Sequence, residues 1–304
     1  MKSIFITGIA GMLGSNMAFL LRNQYHIYGM DLNHVQIEGV YAEVYSIFET
    51  EKIREQLIKN NIDVLIHCAA LVNVDECEIF PDYAKKVNYA VTAQLAEICD
   101  GLHIKMIYIS TDAVFSGDET GLYTEEDVTA PKSVYGKTKC MAEGAVLAYP
   151  DNLVARTNIY GFNYREKNSF GEWIVASLLS NIELNLFYDI KFSPILVNEL
   201  AEILAQCIED NVCGLYHISS TGSISKYDIA ILLQETFGIQ GSINKASMED
   251  YNFKAPRTKN MGLCNDKIRR KLNLHISTPE EGVLEFKKLY DNQYAGALKS
   301  GARI

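Results

Sequence analysis

Tyr135 and Lys139, in the run Tyr135-Gly136-Lys137-Thr138-Lys139, are four residues apart. On a helix, positions i and i+4 share a face, so this phenol and this amine project into the same space. A free tyrosine ionises near about pH 10, too high for ready proton transfer at neutrality. A nearby ammonium favours the phenolate and brings the tyrosine toward a useful range. Upstream, Ile107-Tyr108-Ile109-Ser110-Thr111-Asp112 reads as a strand ending in a hydroxyl, and Thr111 can hydrogen-bond a carbonyl oxygen there. The chain opens with a third signal, Thr7-Gly8-Ile9-Ala10-Gly11-Met12-Leu13-Gly14. Gly8 permits a tight turn off a strand, Gly11 lets backbone approach a pyrophosphate, and Gly14 lets the following helix pack closely on a sheet. The free amides at that helix start, carried by Gly11, Met12 and Leu13, then face phosphate. Asp31 ends the next apolar run. A carboxylate there accepts hydrogen bonds from ribose hydroxyls and repels a 2′-phosphate, which favours NAD(H) over NADP(H) while leaving dual use open.

These groups need a scaffold that gathers strand ends. Short apolar runs at 3–7, 26–30, 63–68, 105–110 and 152–157 read as strands. Amphipathic segments at 12–22, 49–60, 84–99 and 135–148 read as helices between them. The strands are continuously apolar, as in a sheet covered on both faces. Repeated strand–helix–strand units imply parallel pairing with right-handed crossovers. The expectation is a doubly wound parallel (Rossmann) sheet over residues 1–160, binding a dinucleotide. A smaller C-terminal α/β lobe over 161–304 binds substrate, with some of its chain free to return to the first domain. In the second half, 168–180 and 197–210 read as helices and 215–218 as a short strand. Ser225 and Thr278-Pro279 read as helix starts. The polar tail from 291 to 304 is expected to fray. No linker rich in Gly, Ser or Pro divides the halves, so a cleft between packed lobes is expected.

Composition narrows the class. The chain has 304 residues, a formal charge of −10 and 48% hydrophobic residues. An acidic total and the lack of a basic aromatic stripe argue against a nucleic-acid partner. No apolar run approaches the ~18 residues of a membrane span, and no signal-peptide pattern follows Met1. Seven scattered cysteines without a C-x-x-C motif read as reduced thiols of a cytoplasmic protein, with no metal site. His67, in an apolar run, reads as a satisfied core histidine, and Asp75 with Glu78 as a solvated helix start.

The chain resembles the extended short-chain dehydrogenase/reductase superfamily. Within it, the chain is similar to the dTDP-4-dehydrorhamnose reductase family of nucleotide-sugar reductases. The resemblance spans nearly the whole length. Beyond the signals above it rests on Asp63-Val64-Leu65-Ile66-His67-Cys68-Ala69-Ala70, Val74-Asp75-Glu76-Cys77-Glu78, Val87-Asn88, Ser110-Thr111-Asp112-Ala113-Val114-Phe115-Ser116-Gly117, Tyr123-Thr124-Glu125 with Pro131, and Pro256-Arg257-Thr258-Lys259-Asn260. It implies Thr111, Tyr135 and Lys139 as a catalytic triad and Ala69 and Ala70 as lining of the dinucleotide cleft. It implies a substrate held between the lobes near Val72, Asp112 and Ala113, with Arg257 toward its diphosphate.

The implied activity is NAD(P)H-dependent reduction of a 4-keto-6-deoxy nucleotide sugar for cell-surface polysaccharide precursors, with a homodimer as the expected assembly. Two departures touch the sugar. Ala113 stands where the family usually has Tyr, and no Trp follows Arg156, Trp173 lying elsewhere. Two alternatives stay open. One is an epimerase or dehydratase with tightly bound NAD, which Ala113 after Asp112 weakens by removing the dehydratases' acidic pair. The other is a non-catalytic regulatory subunit that binds dinucleotide as a ligand.

Overall fold

The computed structural model describes residues 1–301. Six parallel strands of the first half, β1 (Ser3–Thr7), β2 (His26–Asp31), β3 (Val40–Val44), β4 (Val64–His67), β5 (Lys105–Thr111) and β6 (Leu153–Thr157), are joined by a seventh, Gly214–His217. The spatial order is 3-2-1-4-5-6 with the seventh strand beside β6, and every pair is parallel. This is the doubly wound order the alternating pattern predicts. Its cause is visible in β1, where all five residues are buried. Ile4 and Ile6 point into one core with Met17 and Leu200, while Phe5 points into another with Ile53, Leu95 and Met106. Alternate side chains thus serve opposite layers, so both faces must be covered.

The covering helices in the first half are α1 (Met12–Leu21), α2 (Thr50–Lys59), α3 (Val74–Ile79), α4 (Pro81–Lys85), α5 (Val91–Gly101) and α6 (Val134–Leu147). Helix Val197–Glu209 packs beside α1 on one face. Both it and the seventh strand come from the second half of the chain and return to the first layer. Helices α2, α5 and α6 supply the other face.

The second lobe is built from helices Phe170–Leu179, Lys226–Phe237 and Pro279–Asp291 with short strand pairs such as Leu184–Phe187 against Ile243–Ala246. The start signals operate as written. Ser225 Oγ accepts from the Asp228 amide at 2.9 Å, and Thr278 with Glu281 forms a reciprocal cap. One core continues across both lobes, with Ile6, Phe162 and Phe286 in the same cluster.

Three expectations change. The helix predicted over 84–99 is broken: α4 ends at Lys85, a wide π turn covers Lys86–Ala90, and α5 begins at Val91. Strand β3 was not anticipated: Val40, Tyr41, Ala42 and Val44 are apolar, yet as an edge strand it has no fully buried residue. The tail does not fray where it is described. Tyr294–Ser300 is a helix whose Tyr294 and Leu298 are buried, and the Tyr294 hydroxyl donates to Asn16 Oδ1 at 2.9 Å. Residues 302–304 lie outside the described residues.

Candidate active site

The carboxyl ends of β1, β2, β4 and β5 bring Thr7, Asp31, His67 and Thr111 to one edge of the sheet, as the parallel registers require. Beyond that edge lies a cavity of about 800 Å³. Gly8, Gly11, Met12, Leu13, Gly14, Asp31, Ala69, Ala70, Val72, Thr111, Tyr135 and Lys139 all line it. Asp112, Ala113 and Arg257 are not among the residues of its wall.

The glycine turn is closed by backbone contacts that tolerate no side chain. Gly8 has φ +72°, and a Cβ there would come within 2.8 Å of the Ala69 amide nitrogen. A Cβ on Gly14 would lie 2.5 Å from the Gly8 carbonyl oxygen. Gly11 precedes helix α1 and offers no side-chain cap, its own amide donates to the Gly8 carbonyl at 2.9 Å, and no acid lies in the first turn. The first amides of the helix are thus left to an anion from the cavity. A dinucleotide pyrophosphate fits this cradle.

Around the turn, polar groups are tied down. Asp31 Oδ2 accepts from the Ala10 amide at 3.2 Å, while Oδ1 accepts from the amide and side chain of Asn33, both at 2.9 Å. His67 is 1% exposed and sits between the hydroxyls of Thr7 (2.6 Å) and Thr92 (2.9 Å). Burial and then the Lys139 charge push its pKa down to about 3, so it is a neutral core group. The π turn places Asn88 where its amide accepts from Leu71 N (2.8 Å) and donates to Leu71 O (3.1 Å) and to Thr138 Oγ1 (3.2 Å). It fastens the Ala69–Val72 wall to α6.

Helix α6 carries the proton-transfer candidates. Ser133 caps it by accepting from Gly136 N at 3.1 Å, and Glu78 Oε1 accepts from Val134 N at 2.7 Å. Glu78 is therefore a second acceptor at this helix start rather than a merely solvated acid. Tyr135 and Lys139 share one face, as their spacing predicts. Their coupling differs from the expectation. Lys139 Nζ donates to the Ile109 carbonyl at 2.6 Å and lies 4.1 Å from the Tyr108 ring centroid. Burial pulls its pKa down to about 7, with Glu143 opposing. Tyr135 is pushed well above its ordinary range by burial, with a hydrogen bond to Thr111 pulling the other way. The phenol is thus held protonated, the form a proton donor needs.

Asp112 is 3% exposed and accepts from Asn158 Nδ2 at 2.5 Å and from the Thr111 hydroxyl at 3.1 Å. Burial raises its pKa to about 6 against these bonds. It therefore faces Asn158 and the Thr111 side chain behind the cavity wall. Arg257 is engaged by Asp75 at 2.9 Å, so Asp75 too does more than solvate a helix start.

Several residues escaped the sequence reading. Arg165 ion-pairs with Asp31 at 2.7 Å, Lys167 and Phe170 line the cavity from the second lobe, and Asn158 lines it from just past β6. No short-range pattern marks them, because their partners lie far away in sequence.

A family model described as RmlD substrate binding domain matches residues 1–291. The chain belongs to that family. Membership agrees with the resemblance carried by the motifs.

Among its relatives, the probable low-salt glycan biosynthesis reductase of Haloferax volcanii is 30% identical over 285 residues, covering 92% of this chain and 95% of that protein. The methionine adenosyltransferase 2 subunit beta of Rattus norvegicus is 27% identical over 278 residues, covering 88% and 81%. Among solved structures, dTDP-4-dehydrorhamnose reductase from Bacillus anthracis in complex with NADP superposes with a TM-score of 0.85 at 27% identity, covering 95% of this chain and 99% of that one. Among the described residues, no helix is long and apolar enough to cross a membrane.

Proposed function

We propose that this chain is a nicotinamide-dependent reductase of a 4-keto-6-deoxy nucleotide sugar, serving the synthesis of polysaccharide precursors. The observation that carries the reading is a single cavity lined by both the glycine turn and the Thr111, Tyr135 and Lys139 side chains. Relatives named as reductases of glycan and rhamnose precursors support it.

Gly8, Gly11, Met12, Leu13 and Gly14 would hold the pyrophosphate, Asp31 the adenosine ribose, and Ala69 and Ala70 the cleft wall. The bound dinucleotide would supply a hydride to the ketone carbon. Tyr135 donates its phenolic proton to the oxygen on which charge develops, and Thr111 hydrogen-bonds that oxygen. Lys139 holds the nicotinamide ribose and, when charged, favours the phenolate left behind. Any preference for NADH rests on Asp31. Residues 1–160, with the strand and helix that return to them, form the cofactor lobe in this reading. Residues beyond 160 close the sugar side, where Val72, Ala113 and Arg257 are assigned, with Asp112 acting from behind the wall through Thr111 and Asn158. A cytoplasmic location and a homodimer belong to the same proposal.

A binding-only subunit is the less favoured reading. It has no need to keep a protonated tyrosine against a hydroxyl and a titratable lysine. The test is NADH or NADPH consumption with a panel of 4-keto nucleotide sugars. Tyr135→Phe should lower turnover by about 10²–10⁴ with cofactor affinity nearly unchanged. Full activity in that variant would remove Tyr135 from the chemistry.

A further inference from the structure

Asp31 and Arg165 are 134 positions apart in sequence and meet at the adenosine end of the cavity. The Arg165 Nη2–Asp31 Oδ1 distance is 2.7 Å, and Arg165 Nε donates to the Ala10 carbonyl at 3.2 Å. The guanidinium therefore bridges the second lobe to both the glycine turn and the end of β2. Asp31 is buried at 6% side-chain exposure, whereas Arg165 is 44% exposed.

The carboxylate is heavily used. Oδ1 takes donors from Asn33 N, Asn33 Nδ2 and Arg165, and Oδ2 takes Ala10 N. With about two lone-pair sites on each oxygen, Oδ1 is crowded and Oδ2 keeps one open. Two consequences follow. A ribose hydroxyl can add at Oδ2 or replace a side-chain donor on Oδ1, and Arg165 and Asn33 Nδ2 are the donors that can leave without moving the main chain. The negative charge that would repel a 2′-phosphate is also cancelled, and by a planar fork suited to phosphate. Lys167 lines the same cavity and adds a second cation.

We propose that Arg165 sets the discrimination between NADH and NADPH. Paired with Asp31, it masks the repulsive carboxylate, and swung off it, it receives the 2′-phosphate. The proposal rests on the cofactor reading above and names its selecting residue. Asp31 alone would give an NADH enzyme, and the Asp31–Arg165 pair gives one that accepts both cofactors.

The test is equilibrium binding, by calorimetry or nucleotide fluorescence, of NADH and NADPH to the full chain and to Arg165→Ala, Arg165→Lys and Asp31→Asn. Wild type should bind the two cofactors within about tenfold of each other. Arg165→Ala should weaken NADPH by about tenfold or more through loss of a charge-assisted contact, with NADH unchanged or tighter. Arg165→Lys should fall between the two, and keeps the charge should the alanine variant fold poorly. Asp31→Asn should weaken NADH and spare NADPH. An Arg165→Ala variant in which both affinities fall together, or their ratio stays fixed, would overturn the proposal and leave Arg165 a latch between lobes. Wild-type protein that binds neither cofactor would instead overturn the dinucleotide reading itself, and this proposal with it.

Discussion

Replacing Gly136 by Ala sets two effects of opposite sign against each other at the residue beside Tyr135. Alanine is the better helix former by about 1 kcal/mol, so propensity alone predicts a more stable protein. Packing predicts the reverse. A Cβ on Gly136 would lie 2.2 Å from the Ala113 carbonyl oxygen and 3.0 Å from Pro131 Cβ. Neither neighbour is the end of a flexible side chain, so helix α6 must retreat by about 1 Å to restore contact distance, and overpacking of this kind costs about 1–3 kcal/mol. The net stability change is a loss of roughly 0–2 kcal/mol.

Function should suffer more than stability. Ala113 belongs to the turn that follows Thr111, while Gly136 follows Tyr135, so the retreat separates the two hydroxyls that must meet one substrate oxygen. A misplacement of about 1 Å can cost about 10²-fold in rate. Gly144 on the same helix provides the control, since it is exposed and nothing lies within 4 Å of its added Cβ. Gly144→Ala should gain up to about 1 kcal/mol and keep full activity. The assay is denaturant unfolding alongside turnover of a 4-keto nucleotide sugar. Equal or higher stability in Gly136→Ala together with turnover within about threefold of wild type, far short of the loss expected for such a displacement, would refute the claim that this close contact fixes Thr111 against Tyr135.

Two further outcomes follow from buried titratable groups. His67 and His217 are both pushed down to about 3, mainly by burial. The folded chain keeps them neutral while the unfolded chain takes protons below about pH 6.5, so their stabilisation is intact above that pH and is lost as pH falls toward 3. At pH 5 each should cost about 2 kcal/mol. Denaturant unfolding at pH 7 and 5 should show His217→Gln losing less than wild type by about that amount, and equal losses would refute it. Lys139, lowered to about 7, should lose its charge as pH rises through neutrality. The kcat/KM profile should therefore fall on the alkaline side of about pH 7. Lys139→Arg should lack that limb, and its persistence there would assign the limb to another group.

The sequence made legible whatever repeats locally. Apolar runs and i, i+4 spacing are short-range signals, so β1, β2, β4–β6, the glycine turn and the Tyr135–Lys139 face could be read directly. Strand β3 could not, although Val40, Tyr41, Ala42 and Val44 are apolar, since a five-residue run is a short signal and its place at the sheet edge is not written in it. The π turn at Lys86–Ala90 could not either. It exists to bring Asn88 to the Leu71 backbone and to Thr138, partners 17 and 50 positions away. Arg165 was illegible for the same reason, since nothing near it in sequence predicts Asp31 as its partner. The face that carries Lys139 was legible, but its hydrogen bond was not. The Ile109 carbonyl that receives it belongs to β5, and register alone decides which carbonyl faces that helix.

Helix α6 explains how a half-neutral lysine can be kept in so buried a site. Tyr135, Lys139 and Glu143 follow at four-residue intervals down one face. Glu143 is 3% exposed, receives the Arg156 guanidinium through two bonds of 3.0 and 2.7 Å, and accepts from Ser110 Oγ at 2.5 Å. Arg156 in turn meets His217 Nε2 at 3.3 Å, while His217 Nδ1 lies 3.1 Å from the Tyr123 carbonyl. A carbonyl can only accept, so Nδ1 carries the proton and Nε2 is left to accept from Arg156. The carboxylate under Lys139 is thereby already neutralised by a cation that cannot lose its proton. Burial then dominates over Glu143 in setting the Lys139 charge. The Glu143–Arg156 pair thus lies one turn along the helix from Lys139, and burial leaves that lysine titratable near neutrality despite the carboxylate.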